Sequence, residues 1–116
     1  MKKVYHLSTC STCQRILKEL QLKEKGFVLQ DIKTEKITPQ QLDKMVEMAG
    51  SVEALFSTKA IKYRELGLKD KNLSDKDMKN YILDEYTFLK RPVVIIDSKI
   101  FVGNSASTIS QLKAIL

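Results

Sequence analysis

Val4-Tyr5-His6-Leu7-Ser8-Thr9-Cys10-Ser11-Thr12-Cys13 is the stretch on which the reading of this chain turns. A short apolar run, Val4 to Leu7, leads into polar Ser8 and Thr9. Cys10 and Cys13, the only two cysteines, follow, and then Ile16, Leu17 and Leu20 recur at helical spacing. Strand, Cys-x-x-Cys and helix in that order make a chemical arrangement. A helix N-terminus carries unpaired N–H groups and a partial positive charge, and both favour a thiolate over a thiol. The thiolate is the species that attacks disulfides, oxyanions and electrophiles.

The rest of the composition narrows what that pair does. At 116 residues the chain is expected to form one domain with its own core. It lacks the apolar run of a signal peptide and any stretch near the roughly 20 apolar residues of a membrane span. A cytoplasmic protein with no membrane association is expected. Two cysteines three apart in such a chain favour redox or metal chemistry over a staple. Zinc takes four ligands, and beside the cysteines there is a single histidine, His6. No metal and no cofactor are therefore expected. The plainer alternative is a pair of inert core cysteines, but serine and threonine flank them rather than apolar residues. The net charge of +6 suits an anionic substrate or an acidic partner, and it equally suits a lysine-rich soluble surface. There is no helix-turn-helix signal and no aromatic–basic repeat, so no direct nucleic-acid binding is expected.

Outward from the cysteines, the pattern predicts a strand over Lys3–Leu7 and a helix from Ser11 to about Lys25, stopped by Gly26. Phe27–Ile32 reads as a second strand, parallel to the first because so short a crossover makes a βαβ unit. Thr38, Pro39 and Gln41 open a helix with a capping box; Leu42, Met45, Val46 and Ala49 line one face and Gly50 ends it. Ser51–Phe56 reads as a further short helix, and Ala60–Leu66 as another turn or two. A second cap signal, Ser74 to Asp77, opens a helix with Met78, Tyr81, Ile82 and Leu89 at helical spacing. Residues 38–88 are thus expected to be helical throughout, without a strand. Val93–Ile96 is a β-branched run of buried-strand type, joined through Asp97-Ser98 to a hairpin partner, Lys99–Val102. A last helix starts near Ser105 and turns Ile109, Leu112 and Leu116 toward the core.

The order β-α-β, helical block, β-β-α is thioredoxin-like. The expected fold class is α/β: a four-stranded mixed sheet in one domain spanning 1–116, with 38–88 as a helical insertion. In that order Cys10 sits at the first strand–helix junction, where it attacks, and Cys13 lies a turn into the helix, where it resolves the mixed intermediate. A proline just before the third strand of such folds has a cis peptide bond across from the active cysteine. Pro92 is in that place, and it would hold Arg91 near Cys10, to stabilise a thiolate or to grip an oxyanion through its fork of donors. The competing reading has Pro92 merely ending a helix and Arg91 solvated. Ser11 and Thr12 are candidates to support sulfur or anion, and they also suit a helix cap. Lys59 is a candidate from the helical block or a surface charge. His6 is read as an ordinary strand residue, and Arg15 as pointing off the helix.

Taken together, Cys10-x-x-Cys13, the Tyr63–Leu68 segment, Arg91-Pro92 with its β-branched run, and Val102-Gly103-Asn104 resemble the arsenate-reductase-like (ArsC/Spx) family over nearly the whole chain. Glutaredoxin-linked reductases of that family use one N-terminal cysteine and three arginines. The resemblance implies Cys10 as nucleophile and Arg91 as one of those arginines. The segments Ser57-Thr58-Lys59 and Gly103-Asn104-Ser105-Ala106 carry no arginine, and such reductases typically lack a cysteine at the position of Cys13. The Spx branch has the Cys-x-x-Cys as a redox switch and binds the RNA polymerase α subunit. The resemblance therefore implies a thiol–disulfide redox protein, an arsenate-reductase-like oxidoreductase reduced by glutaredoxin, thioredoxin or glutathione. Its alternative is an Spx-like regulator with the polymerase α C-terminal domain as partner.

Overall fold

Strand β1 (Lys2–His6) lies inside a four-stranded sheet, with β2 (Val28–Asp31) parallel on one side and β3 (Val93–Ile96) antiparallel on the other. Strand β4 (Lys99–Val102) pairs antiparallel with β3 and completes the order β2-β1-β3-β4. The registers set Leu29, Val4, Val94 and Phe101 in one row across the sheet. Because side chains alternate along a strand, that row shares a face. Helices α1 (Ser11–Glu19) and α5 (Ala106–Ile115) cover it, through Ile16 and Leu17 on α1 and Leu112 on α5. This is a thioredoxin-like α/β fold. The structure describes residues 1–116, as a computed structural model. It divides into two compact units, 1–35 with 91–116, and 36–90.

The first helix is shorter than its periodicity predicts. It ends at Glu19, not near Lys25. The N–H of Leu22 bonds the carbonyl of Leu17 at 3.1 Å and that of Gln21 bonds Lys18 at 3.2 Å, while Gln21 takes φ +53. That is a Schellman motif, here with glutamine at the left-handed position. The reason is burial: it turns Leu22, which has no exposed surface, into the core beside Leu17 and Leu20. A separate turn follows and ends the same way. Phe27 N–H bonds Leu22 at 3.1 Å, Gly26 N–H bonds Lys23 at 3.1 Å, and Gly26 takes φ +88. Gly26 thus caps that second turn rather than the helix. At the other end of the chain Leu112 is buried as expected, but Leu116 is 38% exposed, since the helix stops at Ile115.

The unit 36–90 contains α2 (Pro39–Ala49), α3 (Ile61–Glu65) and α4 (Asp75–Asp84). Both predicted cap signals form reciprocal capping boxes, Thr38 with Gln41 and Ser74 with Asp77. Residues 51–56 are turns rather than a helix, and α4 stops at Asp84, with a 3-10 turn over Tyr86–Phe88. The cause of both is one strand-like contact: Phe56 and Leu89 form an isolated antiparallel bridge, with Ser57 N–H to Phe88 O at 2.7 Å and Lys90 N–H to Leu55 O at 2.8 Å. Leu55, Phe56, Phe88 and Leu89 are all buried where these two segments pair. No helix of the chain is long and apolar enough to cross a membrane.

The left-handed positions Gln21 and Gly26 give a test. A left-handed conformation costs a non-glycine residue roughly 1–2 kcal/mol, offset in part by glycine's greater freedom in the unfolded chain. Gln21→Gly should raise stability by up to about 1 kcal/mol, and Gly26→Ala, where a Cβ meets open space, should lower it by about 1 kcal/mol through backbone strain alone. Urea denaturation should show the two midpoints moving in opposite directions at unchanged slope.

Candidate active site

The sheet gathers four loop ends at one edge. The registers pair Tyr5 with Val93, His6 with Asp31, and Val93 with Val102. The chain leaving β1, the end of β2, the entry to β3 and the exit from β4 therefore meet there. This brings Cys10 and Arg91 together although they are far apart in sequence.

Cys10 is the N-cap of α1, with extended backbone at φ −93 and ψ 107. Its own N–H bonds the Leu7 carbonyl at 3.0 Å, and its carbonyl accepts the first intrahelical bond, from Gln14 N–H at 3.1 Å. The N–H groups of Ser11 and Thr12 precede that first bond and lie at the positive end of the helix. Ser11 is exposed and Thr12 half-buried. The cysteine sulfur makes no short cap bond of the kind a serine oxygen makes. Partial burial pushes its pKa up, but the Cys13 backbone amide, the Cys13 thiol and the Arg91 guanidinium together favour the thiolate and hold it below the ordinary value. Cys13 is fully buried, and burial pushes its thiol up to about 12; the Leu7 backbone and Arg91 pull against that rise and the neighbouring Cys10 adds to it. Both cysteines are free thiols. The two sulfurs are thus in direct contact but differ sharply in acidity.

The Arg91–Pro92 peptide is cis. Gly103 N–H bonds the Pro92 carbonyl at 2.9 Å, and the Asn104 side-chain amide donates to the Arg91 carbonyl at 3.1 Å. Gly103 takes φ +86, a conformation that favours glycine, to make this approach. Arg91 is half-buried and reaches the Cys10 sulfur. Lys59 is exposed in the unit 36–90, and Arg15 is exposed on α1.

Three further residues hold this frame, two of which, Asp31 and Gln14, the pattern of the sequence does not mark. Asp31, at the end of β2, accepts from the N–H of Ser8 at 3.1 Å and of Lys33 at 3.2 Å, which ties down the loop leading to Cys10. Partial burial disfavours its charge, but Ser8, Lys33 and His6 outweigh that and hold its pKa below the usual carboxylate range. The Gln14 amide bonds the Leu7 carbonyl at 3.0 Å and His6 Nδ1 at 3.2 Å, locking α1 to the end of β1. His6 is buried, and that burial lowers its pKa against the pull of Asp31. Asn104 is the third. Its signal in the sequence is its place in the Val102-Gly103-Asn104 motif, which does not reveal its bond to the Arg91 carbonyl. No group of three or more His, Cys, Asp or Glu side chains gathers in a way that could hold a metal ion.

A sequence model of the ArsC family matches residues 5–112. The chain belongs to the ArsC family. Within the family's reach, it is 29% identical over 104 residues to the uncharacterized protein YusI of Bacillus subtilis (strain 168), covering 85% of this chain and 86% of that one. It is 28% identical over 112 residues to the arsenate reductase of Neisseria meningitidis (strain Z2491), covering 92% and 93% of the two chains. Among solved structures, one described as a possible arsenate reductase from Streptococcus mutans UA159 superposes with a TM-score of 0.77 at 28% identity, over 97% of this chain and 98% of that one. The ArsC match spans the Cys10 junction, the helical unit and the Arg91–Pro92 turn alike.

The charge on Arg91 is open to a direct test. Arg91→Ala should move the Cys10 titration to higher pH, so that less thiolate is present at neutral pH, and Arg91→Lys should recover part of the shift. Thiolate absorbance followed against pH in a Cys13→Ser background checks this; an unmoved midpoint would place the guanidinium's influence elsewhere.

Proposed function

We propose that the protein is a thiol-dependent oxidoreductase of arsenate-reductase type, with Cys10 as nucleophile and Cys13 as resolving thiol. The observation that carries this reading is the unequal pair: a partly exposed Cys10 with a lowered pKa touching a buried Cys13 with a pKa of about 12. The first sulfur is the more readily ionised, and the other waits as a protonated thiol. The named arsenate reductase among its relatives supports an oxyanion of arsenic as the substrate class.

The chemistry runs in two steps. The Cys10 thiolate attacks arsenic(V); an oxygen leaves as water with protons from solvent, and an S–As bond forms. The Cys13 sulfur then loses its proton and attacks the Cys10 sulfur. The S–S bond forms, the S–As bond breaks with its electron pair left on arsenic, and arsenic(III) departs as arsenite. The two electrons come from the two thiols. Bonding of Cys10 to arsenic removes the thiolate's own share in the raised Cys13 pKa, while the larger share, burial, remains, so Cys13 gives up its proton as it attacks. Arg91 and the amides of Ser11 and Thr12 would hold the oxyanion, and glutathione, glutaredoxin or thioredoxin would reopen the disulfide.

Arsenate reduction coupled to each of those three donors is the test. The parent protein should turn over, and Cys10→Ser should lose at least about 100-fold. Cys13→Ser should retain attack by Cys10 but accumulate a covalent mixed adduct, visible by intact mass, unless an external thiol resolves it. Turnover no higher than that of Cys10→Ser with every donor would sink the reductase reading.

A further inference from the structure

The unit 36–90 contains a cleft of about 340 Å³, near the lower end of the size range of small-molecule sites. It is lined by residues of that unit alone, with neither cysteine of the dithiol among them. Buried Phe56, Leu68 and Met78 form its apolar lining together with Tyr63 and Leu73. Its polar lining consists of Lys71, Lys90, Glu53 and Thr58, all exposed.

This lining is built and held. The Phe56–Leu89 bridge, with its flanking bonds at 2.7 and 2.8 Å, joins the segment bearing Phe56 and Thr58 to the segment bearing Lys90. The Phe56 ring stacks on Phe88 at 5.3 Å between centroids with planes 8° apart, and meets Tyr63 edge-on at 6.1 Å. A rigid aromatic wall costs little to order on binding. The ion pairs of the chain, at Asp97, Lys62–Glu65, Lys79–Asp43 and Lys113–Glu19, engage neither lysine of the cleft. Two ammonium groups against the one carboxylate of Glu53 leave the polar lining net positive.

We propose that this cleft binds a small organic monoanion: a single aromatic ring, or a branched aliphatic body of that size, carrying one carboxylate. The apolar lining takes the body, and Lys71 and Lys90 take the charge. Glu53 disfavours a second negative charge. The volume, more than twice the roughly 150 Å³ that a benzene ring fills, takes a ring with its stem and carboxylate and is of the size of small-molecule sites.

Titration of the isotope-labelled full-length chain with phenylpropionate, followed by amide correlation spectra, tests this. The expected result is saturable shifts clustered at Phe56, Tyr63, Leu68 and Leu73, with a dissociation constant on the order of a millimolar for so small a probe. Phenethylamine, of like shape and opposite charge, should give no saturable shift, nor should acetate. The double change Lys71→Glu with Lys90→Glu, on exposed side chains, should weaken phenylpropionate at least about tenfold while the rest of the spectrum stays in place. Lys69→Glu, an exposed lysine outside the lining, should leave binding unchanged. Shifts that do not saturate, that scatter over the chain, or that survive the double charge reversal would overturn the proposal. So would equal binding of phenethylamine.

Discussion

The pairing of β1 between a parallel and an antiparallel neighbour is the constraint on which the site depends. Parallel pairing puts the ends of β1 and β2 at one edge of the sheet. Antiparallel pairing puts the start of β3 and the end of β4 there as well. The row Leu29, Val4, Val94, Phe101 fixes the register, because a slip of one residue would turn the whole row off the face covered by α1 and α5. Cys10, Asp31, Arg91 and Asn104 are then neighbours as a consequence of hydrophobic burial. Polar recognition among them adds precision to a placement the apolar row has already made.

The chemistry of the pair follows from how the helix begins. A single turn separates Cys10 and Cys13, yet one sulfur is partly exposed at the positive end of α1 and the other faces the interior. Partial burial works against charge on the first, but the Cys13 amide and thiol and the Arg91 guanidinium outweigh it; deeper burial disfavours charge on the second. The same contact between the sulfurs works in both directions, lowering one pKa and raising the other. The frame around them is backbone-rich: Gln14, Asp31 and Asn104 each hold main-chain groups of the loops that carry the reacting side chains.

In the unit 36–90 a different balance decides local structure. Helical propensity is adequate over 51–56 and 85–89, but both segments carry adjacent large apolar residues. A helix directs neighbours about 100° apart, so it buries both members of a pair only where a wide face is covered, as at Ile16 and Leu17 of α1. The short bridge at Phe56 and Leu89 buries all of them, and the loss of a few helical hydrogen bonds is offset by the two bonds that flank the bridge.

The strand–Cys-x-x-Cys–helix junction, both capping boxes, the hairpin and the thioredoxin-like order were legible in the sequence, because each rests on contacts between residues close in the chain or on an unmistakable periodicity. Membership of the thioredoxin-like class followed from their order alone. What only the tertiary structure decided is where helices stop and which polar side chains hold the site. α1 ends at Glu19 because Leu22 reaches the core by a left-handed turn at Gln21, a gain that no local propensity registers. The roles of Gln14, Asp31 and Asn104, and the split between the two thiols, arise from groups distant in sequence that meet at one sheet edge. Burial and long-range electrostatics belong to the assembled fold: the linear pattern ordered the two cysteines as attacking and resolving, but the burial of Cys13 and the reach of Arg91 to Cys10 came only with the structure.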